Sequence, residues 1–218
     1  MLALLGLIAG SSFCAAEQPN ILFIMADDHT SQGFGIYGSR LAHLNPTPNI
    51  DALAKTGIVF DNTFCNNSIC TPSRASILTG QYSQTNGVLD LHGSLPPSKQ
   101  FLPTEMKALG YQMAVIGKWH LKEEPANFDY YEVLPLQGSY HNPDLICREG
   151  GTRKEIVFGK QGAREVNVIK YQGHSSDVIT DRSIEWLQNK RDKSKPFVLL
   201  HHFKAPHDLF EYAARYES

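Results

Sequence analysis

The chain has 218 residues, 42% hydrophobic and 19% charged, with a formal net charge of -2 at neutral pH. That composition excludes a disordered or fibrous chain and is enough for one sizeable core. The near-neutral balance, with no block of like charges, excludes the basic surface that nucleic-acid binding needs, so no nucleic-acid partner is expected.

Met1 to Gly10 is apolar without Lys or Arg, and the mostly small residues of Ser11 to Ala16 follow, ending in Cys14-Ala15-Ala16 before Glu17. This pattern predicts a signal peptide over residues 1–16 and a periplasmic or secreted protein. The apolar run is too short to cross a bilayer, so no membrane span is expected. Phe13 is bulky where a lipidation signal wants a small residue, which disfavours lipidation of Cys14. Export leaves Cys65, Cys70 and Cys147, an odd number for an oxidising compartment. Either one disulfide leaves a spare thiol, or Cys70 is chemically converted and Cys65 and Cys147 pair or stay buried.

Asn20 to Ala26 is a near-continuous apolar run of strand length, as for a strand covered on both faces of a parallel sheet, and Asp27-Asp28-His29 follows at once. Pro48 to Lys55 predicts a helix with Pro in its first turn and Gly57 past its end. Ile58 to Phe64 predicts a strand. Pro72 to Thr79 predicts a helix stopped by Gly80, with Cys70 just ahead of it. Thr104 to Leu109, ended by Gly110, is a further helix, and Tyr111 to Ile116 a strand running into Gly117-Lys118-Trp119-His120. Between Pro125 and Gly173 no period is sustained, which predicts long loops with one short hairpin near Ile156 and Val168. Ser176 is an N-cap candidate for a helix over Asp177 to Lys190. Phe197 to Phe203 is the last strand, followed directly by Lys204-Ala205-Pro206-His207.

The alternation predicts an α/β fold with a mostly parallel central sheet flanked by helices. Such sheets place ligands at the carboxyl ends of their strands, where Asp27-Asp28, Lys118 to His120 and His207 all fall. Adjacent carboxylates are hard oxygen ligands suited to Ca²⁺ or Mg²⁺, although a dipeptide alone can equally cap a turn. A helix N-terminus beside Cys70, with Arg74, Lys118 and two histidines near it, makes a pocket for a tetrahedral oxyanion, sulfate or phosphate. The same surroundings lower a thiol pKa, so an unmodified Cys70 could also be a plain nucleophile. Taken singly, His120 is as compatible with a core position and His207 with closing a turn; Trp119 and Trp186 read as core.

The run Cys70-Thr71-Pro72-Ser73-Arg74-Ala75-Ser76-Ile77-Leu78-Thr79-Gly80 resembles the signature of the type I, formylglycine-dependent sulfatases of the alkaline phosphatase-like superfamily. Pro19 to Leu22 leading into Asp27-Asp28, Thr47 to Ala54, Gly117 to Leu121 and Ala205-Pro206-His207 resemble further blocks of that family, in its order. The resemblance implies that a separate maturation enzyme oxidises Cys70 to Cα-formylglycine, whose hydrate attacks the sulfur of a sulfate ester and then eliminates inorganic sulfate. It implies Asp27, Asp28 and residue 70 as ligands of Ca²⁺, with Mg²⁺ as an alternative. Arg74 would hold the formylglycine, Lys118 bind sulfate oxygens, His120 hydrogen-bond the hydrate and act as base, and His207 contact the sulfate and protonate the leaving oxygen. Phe128 to Tyr131 and Gln137 to Tyr140 resemble loops of bacterial sulfatases acting on sulfated polysaccharides, which points to a sulfated carbohydrate substrate.

Two departures bear on these expectations. The family completes its metal site with an Asp followed by Asn or His and adds a sulfate-binding Lys in a later segment, and nothing after His207 supplies them. Residues 17–218 are therefore expected to be the N-terminal part of a catalytic domain whose remainder and C-terminal subdomain are absent. Lys122 and Asn86 stand where Gly and His are common, which touches the rim of the site. The competing readings are a phosphate or phosphonate ester hydrolase of the same superfamily and a non-catalytic binder of sulfated glycans.

Overall fold

A computed structural model describes residues 18–159 and 162–217, so the segment read as a signal peptide lies outside the described residues. Seven strands form one sheet: β1 (Ile21–Met25), β2 (Gln112–Lys118), β3 (Tyr130–Leu134), β4 (Asp144–Cys147), β5 (Arg153–Gly159), β6 (Gly162–Lys170) and β7 (Phe197–His202). Their spatial order is β1-β7-β2-β3-β4-β6-β5. The first four are parallel, with Leu22 opposite Leu199, Val115 opposite Leu200 and Ile116 opposite Glu132. The β3-β4, β4-β6 and β6-β5 joins are antiparallel. The expected α/β sheet flanked by helices is present, and an antiparallel edge extends it.

Period-2 alternation of apolar residues gives both faces of the central strands a core. Met113, Val115, Val198 and Leu200 face Ala75 and Leu78 of α2 (Cys70–Thr79), with Leu102 and Met106 of α4 (Phe101–Ala108) packed alongside. Ala114, Ile116 and Leu199 face the other way, onto Val178 and Ile179 of α5 (Ser175–Glu185) and onto Trp186, which opens a single π-helical turn to Lys190. Each such fully buried side chain contributes about 1.5–3 kcal/mol relative to exposure. Helix α2 ends at Gly80, whose φ of 65° is the left-handed conformation a C-terminal glycine allows. Helix α5 is capped by His174, whose Nδ1 accepts from the Ser176 N–H at 3.2 Å, so it starts ahead of the expected Ser176 cap. The short helices α1 (Pro48–Thr56) and α3 (Ser83–Asn86) complete the set.

Three expectations are corrected. No strand forms over Ile58 to Phe64; with no sheet neighbour to pair with, Ile58, Phe60 and Phe64 stand exposed at 82%, 68% and 89%. Strand β1 is not covered on both faces: it is the edge of the sheet, and Leu22 and Ile24 are about half exposed. The stretch from Pro125 to Gly173 holds four strands, because the hairpin expected near Ile156 and Val168 is the long β5-β6 pair and joins the sheet through β4. Strand β3 escapes a periodicity reading because Glu132 interrupts its apolar run. That buried carboxylate accepts Arg182 Nε at 2.9 Å and Nη2 at 3.2 Å and the Tyr171 hydroxyl at 3.0 Å, with the Tyr130 hydroxyl also on it.

Among the described residues no helix is long and apolar enough to cross a membrane. Removing one partner of a buried, fully bonded ion pair is strongly destabilising, so Glu132→Ala should lower unfolding free energy by about 3 kcal/mol in denaturant titration. His201, buried against the Ser183 hydroxyl at 2.7 Å, is pulled by burial to about 4 from the usual 6.5. Below pH 6.5 the unfolded chain takes up a proton that the folded chain refuses until about pH 4, so stability should fall across that window. The loss attached to this residue is about 3 kcal/mol, and His201→Gln should flatten the acid limb of a stability-pH profile by that amount.

Candidate active site

Four neighbouring parallel strands end on one side of the sheet, and each delivers polar side chains there. Asp27 and Asp28 follow β1; Lys204 and His207 follow β7; Lys118 closes β2, with His120 just beyond it; Gln137 and Tyr140 lie in the segment after β3. Helix α2 points its N-terminus at the same place, with Cys70 as its first residue and Arg74 one turn further along. Gly117 makes this convergence sterically possible. At φ 105° it passes the His202 carbonyl so closely that a Cβ would lie 1.8 Å from that oxygen.

Asp27, 4% exposed, is the centre of the arrangement. Its Oδ1 accepts Arg74 Nη2 at 3.1 Å, its Oδ2 accepts the Lys118 ammonium, and its backbone N–H donates to the Ala205 carbonyl at 3.1 Å. Burial works to raise its pKa, but the Arg74 charge and the Lys118 contact outweigh it and hold the carboxyl below its usual range. Arg74 continues from Asp27 to the Lys118 carbonyl at 2.6 Å and lies 3.4 Å from His202 Nδ1. Lys118, fully buried, also donates to Gln137 Oε1 at 2.6 Å.

Cys70 Sγ lies 3.3 Å from Asp27 Oδ1, 3.8 Å from Lys118 Nζ and 3.9 Å from Asp28 Oδ1. Burial, with the two carboxylates adding to it, pushes the thiol pKa up despite Lys118. The surroundings therefore do not make the unmodified thiol the activated nucleophile that a helix N-terminus and cations alone would suggest. Cys65, Cys70 and Cys147 are all free, Cys65 exposed and Cys147 buried on β4, so no disulfide joins them.

His120 adopts φ 53°, and its carbonyl accepts the buried Thr71 hydroxyl at 3.0 Å. Burial, then the charges of Lys118 and Arg74, lower its pKa to about 4, so the imidazole is neutral at physiological pH. Its buried Nδ1 has no hydrogen-bond partner among the described residues. His207 Nε2 lies 3.6 Å from Asp28 Oδ2, while its Nδ1 faces the Asp208 carboxylate and carbonyl. The Tyr140 hydroxyl donates to the His207 carbonyl.

All the expected residues, Asp27, Asp28, Cys70, Arg74, Lys118, His120 and His207, thus meet in one place. One ligand atom each from Asp27, Cys70 and His207 lie within 4.8 Å of one another, and the Asp28 carboxylate borders them. With an oxygen at position 70, the two carboxylates would give the oxygen-rich donor set that Ca²⁺ or Mg²⁺ takes. The Lys118 ammonium occupies Asp27 Oδ2 here, the position a divalent ion would take over. Gln137, Tyr140, His202 and Lys204 are additions. The first two sit in the segment expected to be loops, and only its likeness to sulfatase loops signalled them.

Residues 19–218 match the sulfatase family model. The chain is 41% identical over 194 residues to an N-acetylglucosamine-6-O-sulfatase of Bacteroides thetaiotaomicron, covering 88% of this chain and 31% of that protein. It is 40% identical over 129 residues to an ulvan-active sulfatase of Formosa agariphila, covering 58% of this chain and 25% of the relative. A solved structure of a protein in complex with its substrate D-glucosamine-2-N,6-O-disulfate superposes with a TM-score of 0.80 at 40% identity, over 91% of this chain and 37% of that one. The chain thus spans about a third or less of the length of these relatives. A signature cysteine at the head of α2, facing carboxylates, lysine and histidines on parallel strand ends, agrees with the match along residues 19–218: the chain belongs to the sulfatase family.

Proposed function

We propose that the protein is a sulfuric ester hydrolase that acts outside the cytoplasm on a sulfated carbohydrate. Its nucleophile would be carried at position 70 after a maturation enzyme converts Cys70 to Cα-formylglycine. The observation that carries this reading is the placement of residue 70 at the helix N-terminus, within 4 Å of Asp27, Asp28 and Lys118. The carbohydrate class rests on the relatives, named for N-acetylglucosamine 6-O-sulfate and for ulvan. An apolar cleft lined by Trp119, Tyr131, Val133, Leu136 and Ile146 opens beside His120 and gives room for the part of the ester beyond its sulfate.

The hydrated aldehyde would supply an oxygen nucleophile that can later eliminate, which a thiol held protonated by burial does not. Asp27, Asp28 and residue 70 would hold a Ca²⁺ ion, whose charge would polarise a sulfate oxygen. Lys118, fixed between Asp27 and Gln137, binds the sulfate and neutralises charge developing on it. His120 enters neutral, with Nδ1 unpartnered among the described residues, and accepts a hydroxyl proton. His207, oriented by Asp208 and by Tyr140 through its carbonyl, delivers a proton to the departing alcohol oxygen. Arg74 touches no substrate in this scheme; it fixes Asp27 and the end of β2.

Peptide mass spectrometry of the native protein made with a maturation enzyme should show the Cys70 peptide carrying CHO in place of CH₂SH. That preparation should hydrolyse an aryl sulfate faster than the matched aryl phosphate. Cys70→Ala should abolish hydrolysis, and Lys118→Met should lower kcat by about 10²–10³. An unchanged thiol in an active preparation, or a preference for the phosphate, would overturn the reading. Chelation should remove activity, and added Ca²⁺ should restore it. Separately, Arg74→Ala leaves Asp27 and the Lys118 carbonyl buried without their partner and should cost about 3–5 kcal/mol in unfolding free energy, with Arg74→Lys intermediate.

A further inference from the structure

Two lysines are buried at this site, and the ammonium of only one of them is matched among the described residues. Lys118 has Asp27 and Gln137. Lys204, 5% exposed, makes no ion pair with a described residue, and its Nζ donates no hydrogen bond to one. That Nζ sits 4.6 Å from the centroid of the Tyr140 ring. The charges that act on it are Lys118, which repels it, and Asp27, Asp208 and Glu211, which attract it without an ion pair. Its place is fixed from both sides, since the Lys204 carbonyl accepts the His207 N–H at 3.2 Å and the next carbonyl, of Ala205, accepts the Asp27 N–H at 3.1 Å. Lys204 therefore sits just past the strand that lies between those carrying Asp27 and Lys118, in one turn with His207.

A partly desolvated ammonium resting on an aromatic face gains about 1–2 kcal/mol, and its nearest like charge, Lys118, works against it. An anion near both lysines removes that imbalance. We propose that Lys204 is a second cation of the anion pocket, gripping with Lys118 the oxygens of a tetrahedral oxyanion, the sulfate group before and after release. Tyr140 is the platform that holds the ammonium in place. This rests on the sulfatase reading for the identity of the anion, and it adds a residue and a contact to that reading.

The test is calorimetric titration of inorganic sulfate into the native protein at fixed ionic strength. A charge-assisted contact of this kind amounts to about tenfold or more in affinity, so Lys204→Met should weaken sulfate binding by that factor. Lys204→Arg should stay within about threefold of wild type, and Lys195→Met, at an exposed lysine paired with Asp192, should change nothing. In wild-type protein, sulfate should slow labelling of Lys204 by an amine-reactive reagent, read by peptide mapping; this keeps the proposal open to refutation if the Met variant does not fold. Wild-type affinity in Lys204→Met, or no protection of Lys204 by sulfate, overturns the proposal. Turnover of aryl sulfates with either of those results would leave the sulfatase reading standing and remove Lys204 from it. Lys204-dependent sulfate binding in a protein that hydrolyses only phosphate esters would do the reverse.

Discussion

One carboxylate organises this structure. Asp27 is buried at the end of an edge strand and is shared by Arg74 from α2 and Lys118 from β2, so three elements far apart in sequence are tied by a single side chain. Burying one carboxylate with two cations is tolerable only when every lone pair has a donor, and here both oxygens are taken. Because Arg74 lies four residues after Cys70 on the same helix, pinning Arg74 also fixes the direction of the α2 N-terminus and places residue 70 over the Asp27 carboxylate. The close pass of Gly117 by His202 brings the Lys118 carbonyl within reach of both Arg74 and His202 Nδ1. A side chain at 117 would push the two central strands apart and with them the lysine and the histidine that each delivers.

The order of the sheet explains why the site could be read in the sequence as far as it was. Asp27, Lys118 and His207 each follow a short apolar run, which is what a strand covered on both faces looks like in sequence, and the strand ends of a parallel sheet converge. The fourth strand end was hidden. Strand β3 carries Glu132 in its middle, satisfied by Arg182 and Tyr171 from distant positions and by Tyr130 of the same strand, so its pattern matches neither an alternating nor a continuous strand. With β3 unseen, Gln137 and Tyr140 had no structural reason to be near Lys118 and His207. His202 was passed over for the opposite reason: inside an apolar strand it looks like any core histidine, and only the fold shows its ring against Arg74. The strand expected at Ile58 to Phe64 marks the limit of pattern alone, because alternation requires a partner strand to become structure.

The protonation states follow from the same geometry and decide which groups do which work. Burial lowers His120 to about 4 and His202 to about 3, and neither has a carboxylate close enough to restore its charge. The Cys70 thiol is pushed up by burial and by Asp27 and Asp28. Positive charge in the pocket therefore resides in Arg74, Lys118 and Lys204, while the imidazole of His120 is left as an acceptor.

That division suits a reaction in which an anion must be held while a proton moves. Fixed cations in a site shielded from water stabilise charge on sulfate oxygens without reorganising, which is where electrostatic catalysis gains most of its effect. A neutral ring beside Lys118 and Arg74 would be left to take a proton from the reacting hydroxyl, as the proposed function requires. Asp27 is the counterweight that lets those cations share so small a volume. Positive charge bound to it from outside the chain would compete with Lys118 for Oδ2 and free that lysine for the anion we propose Lys204 to share, while Lys204 itself rests on Tyr140.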